Sequence, residues 1–402
     1  MNKIKIEELL FMTFLCIQLG HFGNSILQYT VLMLFGGCLL LKKLIAHKGK
    51  IKFINYQKKY VLIVLLFTMY TCCSYFWAYK KEATLDTLPS MIRLLIVTIF
   101  LLNDNQNIVK VERYIKILLA AALYMCMKVL IHIPSIGIGF GSFADITSEY
   151  TGLQRNTVGQ VAAMAVLLVF YLYIRHREKK VLVLFPFYIM TIFLSGSMKG
   201  FFIPFVGVMI YYVLILYQNG KIKKKNIITF VMIFMVICLA LGTLLRLNQT
   251  ILVRVTTMFG ENATDGSSIV RRALAQKAIK LFTMKPVFGW GLDNMPYVNM
   301  NTFGLDVYQM KRHAHNNYLE ILANLGIIGF VLYYAKYAFL IMNAIKEKNA
   351  NRISKIFVLS VIITIMIFEY GIVSYHMDFY QYFILLLMCL VNSDNKNVNP
   401  NC

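Results

Sequence analysis

Apolar segments long enough to cross a bilayer recur from one end of this 402-residue chain to the other, and most turns between them are short and basic. No other property restricts the fold as strongly. A bilayer core is about 30 Å thick, and a helix needs about 20 apolar residues to cross it. No water is available there for backbone N–H and C=O groups, so only helices or closed barrels traverse it. Apolar runs of this length read as helices. The expected fold is an all-α polytopic membrane protein with about twelve transmembrane helices. They fall at residues 7–22, 25–45, 58–78, 88–102, 112–133, 157–174, 181–195, 199–217, 226–245, 317–343, 355–374 and 377–391. The first is read as a retained span, because no small-residue cleavage site follows it.

Composition agrees. Hydrophobic residues make up 59% of the chain and charged residues 15%, against about 25% charged in soluble domains. A net charge of +23 would suggest nucleic acid as a partner of a soluble chain. Here the basic residues sit in interhelical turns, so no nucleic-acid partner is expected; the bilayer is the partner. The main clusters are Lys42 to Lys59, Arg175 to Lys180, Lys221 to Lys225 and Lys346 to Lys355. Lys and Arg are retained on the cytoplasmic side. Twelve spans with both termini cytoplasmic put all four clusters inside. The eight cysteines follow no metal-ligand spacing, so neither a disulfide framework nor a structural metal is expected.

This topology divides the chain into four parts: a membrane bundle of about nine spans (1–245), a large extracytoplasmic loop (246–316), three closing spans (317–391) and a mobile tail (392–402). Structureless loops beyond about 15 residues are uncommon unless functional. This loop holds a turn-rich ENATDGSS, a helical pattern from Ile269 to Met284, a terminating Pro286 and the glycine-rich turn FGWGLDN. At 100° per residue, Val270, Leu274, Ala278, Leu281 and Phe282 form the helix's apolar face, with Arg272, Gln276 and Lys280 opposite. Arg271 falls in the middle of the apolar face. Such an arginine either snorkels at a membrane interface or aims at an anion in a protected site.

The stretch KRHAHNNYLE places Arg312, His313, His315 and Asn316 directly ahead of an apolar helix. Asn316 can cap that helix. His315 then sits at its positive end, where the imidazole stays neutral and able to accept a proton. Free N–H groups at the same end favour phosphate oxygens. The competing reading makes both histidines polar interface residues. Gly326 and Gly329 read as ordinary helix packing.

With these residues in view, the sequence resembles the O-antigen polymerase/ligase family of bacterial integral membrane glycosyltransferases. One match is H-N-x9-G-x-x-G, met by His315, Asn316, Gly326 and Gly329; the other is R…P-x-x-G-x-G, met by Arg271, Pro286, Gly289 and Gly291. The resemblance implies a GT-C-like architecture in the bacterial inner membrane, with the active site on the outer face. It implies glycosyl transfer from undecaprenyl diphosphate without metal or other cofactor. A chain-length regulator and a flippase are the protein partners it implies. His315 inherits the catalytic position and Arg271 the diphosphate-binding one, with His313, Asn316 and Arg312 in support. Family members often carry Gly-Ser-Arg after the seventh span. This chain reads SGSMKG, with Met198 in place of the arginine and Lys199 next. Either Lys199 or Arg155, in TGLQRNTVGQ, would supply the missing charge.

The leading functional expectation is a polymerase of lipid-linked oligosaccharide repeats, with a ligase as the alternative in the same family. A transporter or flippase also has about twelve spans, but the inverted repeats common in transporters are absent here and the polar residues gather at one face. A purely structural subunit is the remaining class. The topology is testable by impermeant thiol labelling of single-cysteine variants in intact cells. Position 262 should react and position 223 should not; labelling at 223 instead would overturn the twelve-span arrangement.

Overall fold

The computed structural model describes residues 5–20, 25–46, 55–104, 107–132, 147, 149–218, 266–299, 301–302, 305–306, 311–346 and 351–392. The regular structure among them is helical, apart from an antiparallel two-residue pair, Asn301–Thr302 with Leu305–Asp306. In chain order the first helices are α1 (Ile6–Leu19), α2 (Ser25–Ala46), α3 (Asn55–Cys73), α4 (Lys81–Asp104) and α5 (Ile108–Leu130). Then come α6 (Arg155–His176), α7 (Phe185–Ser195), α8 (Met198–Gln218) and α9 (Gly266–Met284). The last three are α10 (Asn317–Lys346), α11 (Arg352–Glu369) and α12 (Asp378–Asn392).

Five of these are long and apolar enough to cross a membrane, namely α3, α4, α6, α8 and α10. Shorter apolar helices lie at Ile26–Lys42 and Asp378–Val391. The architecture fits an α-helical polytopic membrane protein. Eleven of the twelve expected stretches correspond to helices, while 226–245 lies outside the described residues.

Several boundaries differ from expectation for identifiable reasons. α4 begins at Lys81 and runs through Pro89, because its first turn is amphipathic rather than apolar and buries Ala83 and Thr84. The expected span 181–195 is a 3-10 turn, Lys179–Leu184, followed by the short α7. α11 stops at Glu369 instead of running to residue 374. The turn after it is held by Asn317, whose Oδ1 accepts the backbone N–H groups of Ser374 at 2.9 Å and Tyr375 at 3.1 Å.

α6 occupies the middle of the bundle, packed against α5, α7, α8 and α11. Its Ala162, Ala163 and Ala165 are fully buried; small side chains let helix backbones approach closely in a medium that gives no hydrophobic drive to associate. α1 packs on α2 and α5, α3 on α4 and α10, and α9 on α10. Helix direction puts the described basic turns at one end, where Arg352 bonds Gln218 and Arg175 and His176 approach Glu112. The first residues of α6, α8, α10 and α12 lie at the other.

α10 is interrupted. Gly326 has φ 65 and ψ −168 inside it, so the glycine read as ordinary packing is a break in the helix. The glycine-rich turn plugs that break. Trp290 N–H donates to Ala323 O at 3.1 Å and Gly291 N–H to Asn324 O at 2.8 Å. In return Ile327 N–H donates to Pro286 O at 2.8 Å and Ile328 N–H to Val287 O at 3.4 Å. Gly289, at φ 70, lies so close that a Cβ on it would sit 2.4 Å from Asn324 O. A Cβ on Gly326 would sit 2.2 Å from Val287 O.

Gly326→Ala must therefore strain a left-handed backbone and push two backbones apart. The strain alone is of order 1–3 kcal/mol, so a clear loss of melting temperature in detergent is expected. Gly37→Ala in α2 is the control. Its Cβ meets nothing within 4 Å and should be neutral or slightly stabilising. Equal melting of both variants would contradict the interlock.

Candidate functional site

The candidate site forms where α8, α9, the glycine turn, the approach to α10 and the α11–α12 turn meet. Asn316 is the N-cap of α10, its Oδ1 accepting Leu319 N–H at 3.1 Å. His315 therefore sits one residue ahead of the helix. Its φ of 54 is left-handed, a conformation that a non-glycine residue keeps only when its surroundings over-determine it. Here Asn316 fixes one side, and on the other Ala314 N–H donates to Glu320 Oε2 at 2.5 Å.

His315 is half-buried and held neutral. Burial lowers its pKa first, and the charges of Lys199, Arg271 and His313 add to the effect, taking it from 6.5 to about 4. Three residues far apart in sequence thus share one neighbourhood. Lys199 lies in the first turn of α8, where a Cβ on Gly371 would meet its Nζ at 3.0 Å. Among the described residues, neither Lys199 nor Arg271 forms a salt bridge. Cations that depress a neighbouring imidazole without a carboxylate of their own make an anion-receptive site.

Arg271 is half-buried, whereas Arg272, Gln276 and Lys280 are exposed, as the wheel requires. Its position within the face differs. Ala273, Leu274, Lys277, Ala278 and Leu281 are fully buried, which centres the buried face near Leu281 and leaves Arg271 at its edge. The wheel missed Lys277, whose aliphatic stem packs inside while Nζ donates to Pro296 O at 3.4 Å.

Arg155 is the first residue of α6, one turn before Gly159, which packs against Ser195 and Ser197. It stands at the same end of the bundle as Lys199. Arg312 is exposed. His313 turns toward Glu320 instead, with Nδ1 3.0 Å from Oε1.

Sequence reasoning missed Asp293, Asn317, Glu320, Asn324 and His376. The signal for three of them was present: Asn317, Glu320 and Asn324 recur at i, i+3 and i+7 on one face of an apolar helix, a stripe that marks a polar interior. Asn324 ties the layers together, accepting Met295 N–H at 2.6 Å and donating to Tyr375 Oη at 3.2 Å and Glu320 Oε1 at 3.3 Å. Asp293, with φ 60, accepts from Thr87 Oγ1 of α4 at 2.8 Å. Asp293, His313 and Glu320 could also hold a metal ion, since their ligand atoms lie within 4.8 Å of one another.

An apolar groove of about 540 Å³ opens beside the glycine turn, between Trp77, Lys285 and Phe288. It lies below the mouth of α10, at the level of the Gly326 break.

Residues 183–334 match the family described as O-antigen ligase, a stretch running from the 3-10 turn before α7 into α10 and so including Lys199, Arg271 and His315. A protein of Rickettsia felis named "Putative polysaccharide ligase" is 28% identical over 120 residues, covering 28% of this chain and 28% of that protein. These two matches, with the two motifs that interlock at Gly326, support a similarity of this stretch to the O-antigen polymerase/ligase family.

Proposed function

We propose that this protein transfers glycan from undecaprenyl diphosphate to an acceptor hydroxyl at the outer face of the bacterial cytoplasmic membrane, and that it polymerises lipid-linked oligosaccharide repeats. The convergence of Lys199 and Arg271 on a neutral His315 carries this reading. The acceptor oxygen attacks the anomeric carbon as the bond to diphosphate breaks. Its proton passes to His315, and the leaving diphosphate departs onto Lys199 and Arg271, with Arg155 at the same end of the bundle. Cations fixed where negative charge develops act strongly in a water-poor site. Lysine offers a point charge in place of the bidentate fork of the arginine usual in the family.

A second reading has its own support, since both matches are named for ligases. A ligase would pass a finished glycan to another acceptor by the same chemistry. Purified protein in vesicles with a short lipid-linked repeat separates the two. A ladder of lengths identifies a polymerase, and a single transfer to an added acceptor identifies a ligase.

Two predictions test the chemistry. Arg271→Ala should cost roughly 100- to 1,000-fold in rate, the usual loss for a transition-state charge donor, while the exposed Arg272→Ala stays near wild type. Equal losses at equal protein levels would remove Arg271 from the diphosphate site.

His315→Ala should abolish transfer, with general-base assistance worth roughly 100- to 10,000-fold. The base works only when neutral, so rate falls as pH drops through its pKa. For the free enzyme that limb, seen in kcat/KM, should lie near pH 4. A bound diphosphate offsets the charges of Lys199 and Arg271, so the kcat limb should move to higher pH. Coincident limbs, or a limb that survives in His315→Ala at reduced rate, would rule His315 out as the base.

A further inference from the structure

His313 is flanked by groups from three elements, with its side chain 36% exposed. Its Nδ1 lies 3.0 Å from Glu320 Oε1 in α10 and 3.5 Å from Asp293 Oδ1 in the glycine turn. At the longer distance the contact is electrostatic rather than a hydrogen bond. The His376 ring, in the α11–α12 turn, packs 5.3 Å away between centroids. Glu320 is fully buried. A buried carboxylate requires a counter-charge. Among the described residues, His313 is the cation that reaches both Glu320 and Asp293.

We infer that Asp293, His313 and Glu320 form an ionic clamp that fastens the glycine turn to the mouth of α10 and so holds His315 in place. All three are positioning residues, acting through His315. The backbone carries the connection. Glu320 grips the N–H of Ala314, the residue between the two histidines, while its other oxygen holds His313. Loss of the clamp frees the peptide on one side of a left-handed His315.

The charges around the clamp are consistent with an imidazolium. Burial disfavours charge on His313, but Glu320 and then Asp293 outweigh it and lift its pKa to about 9. Burial pushes Asp293 up to about 6, with the His313 charge opposing and Glu320 adding. Burial, then the His313 charge, lowers His376 to about 4. Tyr375 is raised by burial and by facing Asp293 and Glu320, so it stays neutral. His313 therefore contributes a fixed charge and not a proton acceptor.

The test is a pair of measurements on wild type, His313→Gln and His313→Arg in detergent. The first is melting temperature against pH and needs no substrate. A raised histidine pKa gives stability that is whole below its ordinary 6.5 and is lost as pH rises through about 9. The expected result is a wild-type decline across that window, a lower and flatter His313→Gln, and a His313→Arg that holds its stability past pH 9. The second is turnover, which rests on the proposed glycan transfer. His313→Gln should lose roughly 2- to 30-fold, the usual range for residues acting at one remove. The loss should fall in kcat rather than KM, and His313→Arg should restore most of it.

A wild-type melt and kcat in His313→Gln, or a His313→Arg no better than His313→Gln, would overturn the clamp. So would a melting temperature lowered by EDTA and restored by a divalent cation, which would assign the three residues to a metal ion. If wild-type protein transfers no glycan, the proposed function fails and the melts still decide the clamp.

Discussion

The organisation of the candidate-site end of the bundle depends on one exchange of backbone hydrogen bonds, between the interrupted α10 and the glycine turn at residues 286–291. A helix broken inside a membrane exposes N–H and C=O groups with no water to take them. Here the orphaned groups flanking Gly326 pair with the turn, and the turn's own groups pair with α10. The glycine turn is thereby part of the wall of the helical bundle rather than an appendage on it. Asp293, Asn294 and Met295 follow directly from the plug and make their contacts with α4 and α10 only because the plug sets their register.

Two electrostatic regions sit side by side above that plug. In one, opposite charges are matched at close range: a carboxylate with no exposure, an imidazolium and a second carboxylate. In the other, Lys199 and Arg271 gather near His315 with no carboxylate in a salt bridge to either among the described residues. The matched region belongs to structure, because burying charge is tolerable only with compensation. The unmatched region is the kind of imbalance that a ligand corrects. Two histidines two residues apart consequently sit in opposite states, one charged and one neutral.

Much of the fold was legible because the bilayer imposes a length and a periodicity that hydropathy records directly. The cap at Asn316 and the exposed stripe of Arg272, Gln276 and Lys280 were equally legible, being local. What was hidden was tertiary. A glycine pair three apart gives the same letters whether it lets helices touch or breaks one, so Gly326 was read the wrong way. A single carboxylate such as Glu320 has no partner visible within its own turn, since His313 and Asp293 reach it from outside the helix. Arg271 was misplaced within its face because the wheel left out Lys277, a buried lysine whose stem packs like a hydrocarbon.

The plug also gives meaning to the fixed gap in the motif. From Asn317, where α10 begins, to Gly326 is nine residues, which is about two and a half helical turns and about 13.5 Å of rise. Asn317, Glu320 and Asn324 lie along one line of α10 leading toward the break, within about 60° of one another on the helix. One added residue would rotate everything below it by about 100° and turn that line away from the glycine turn. The nine residues inside the motif measure an angle more than a distance.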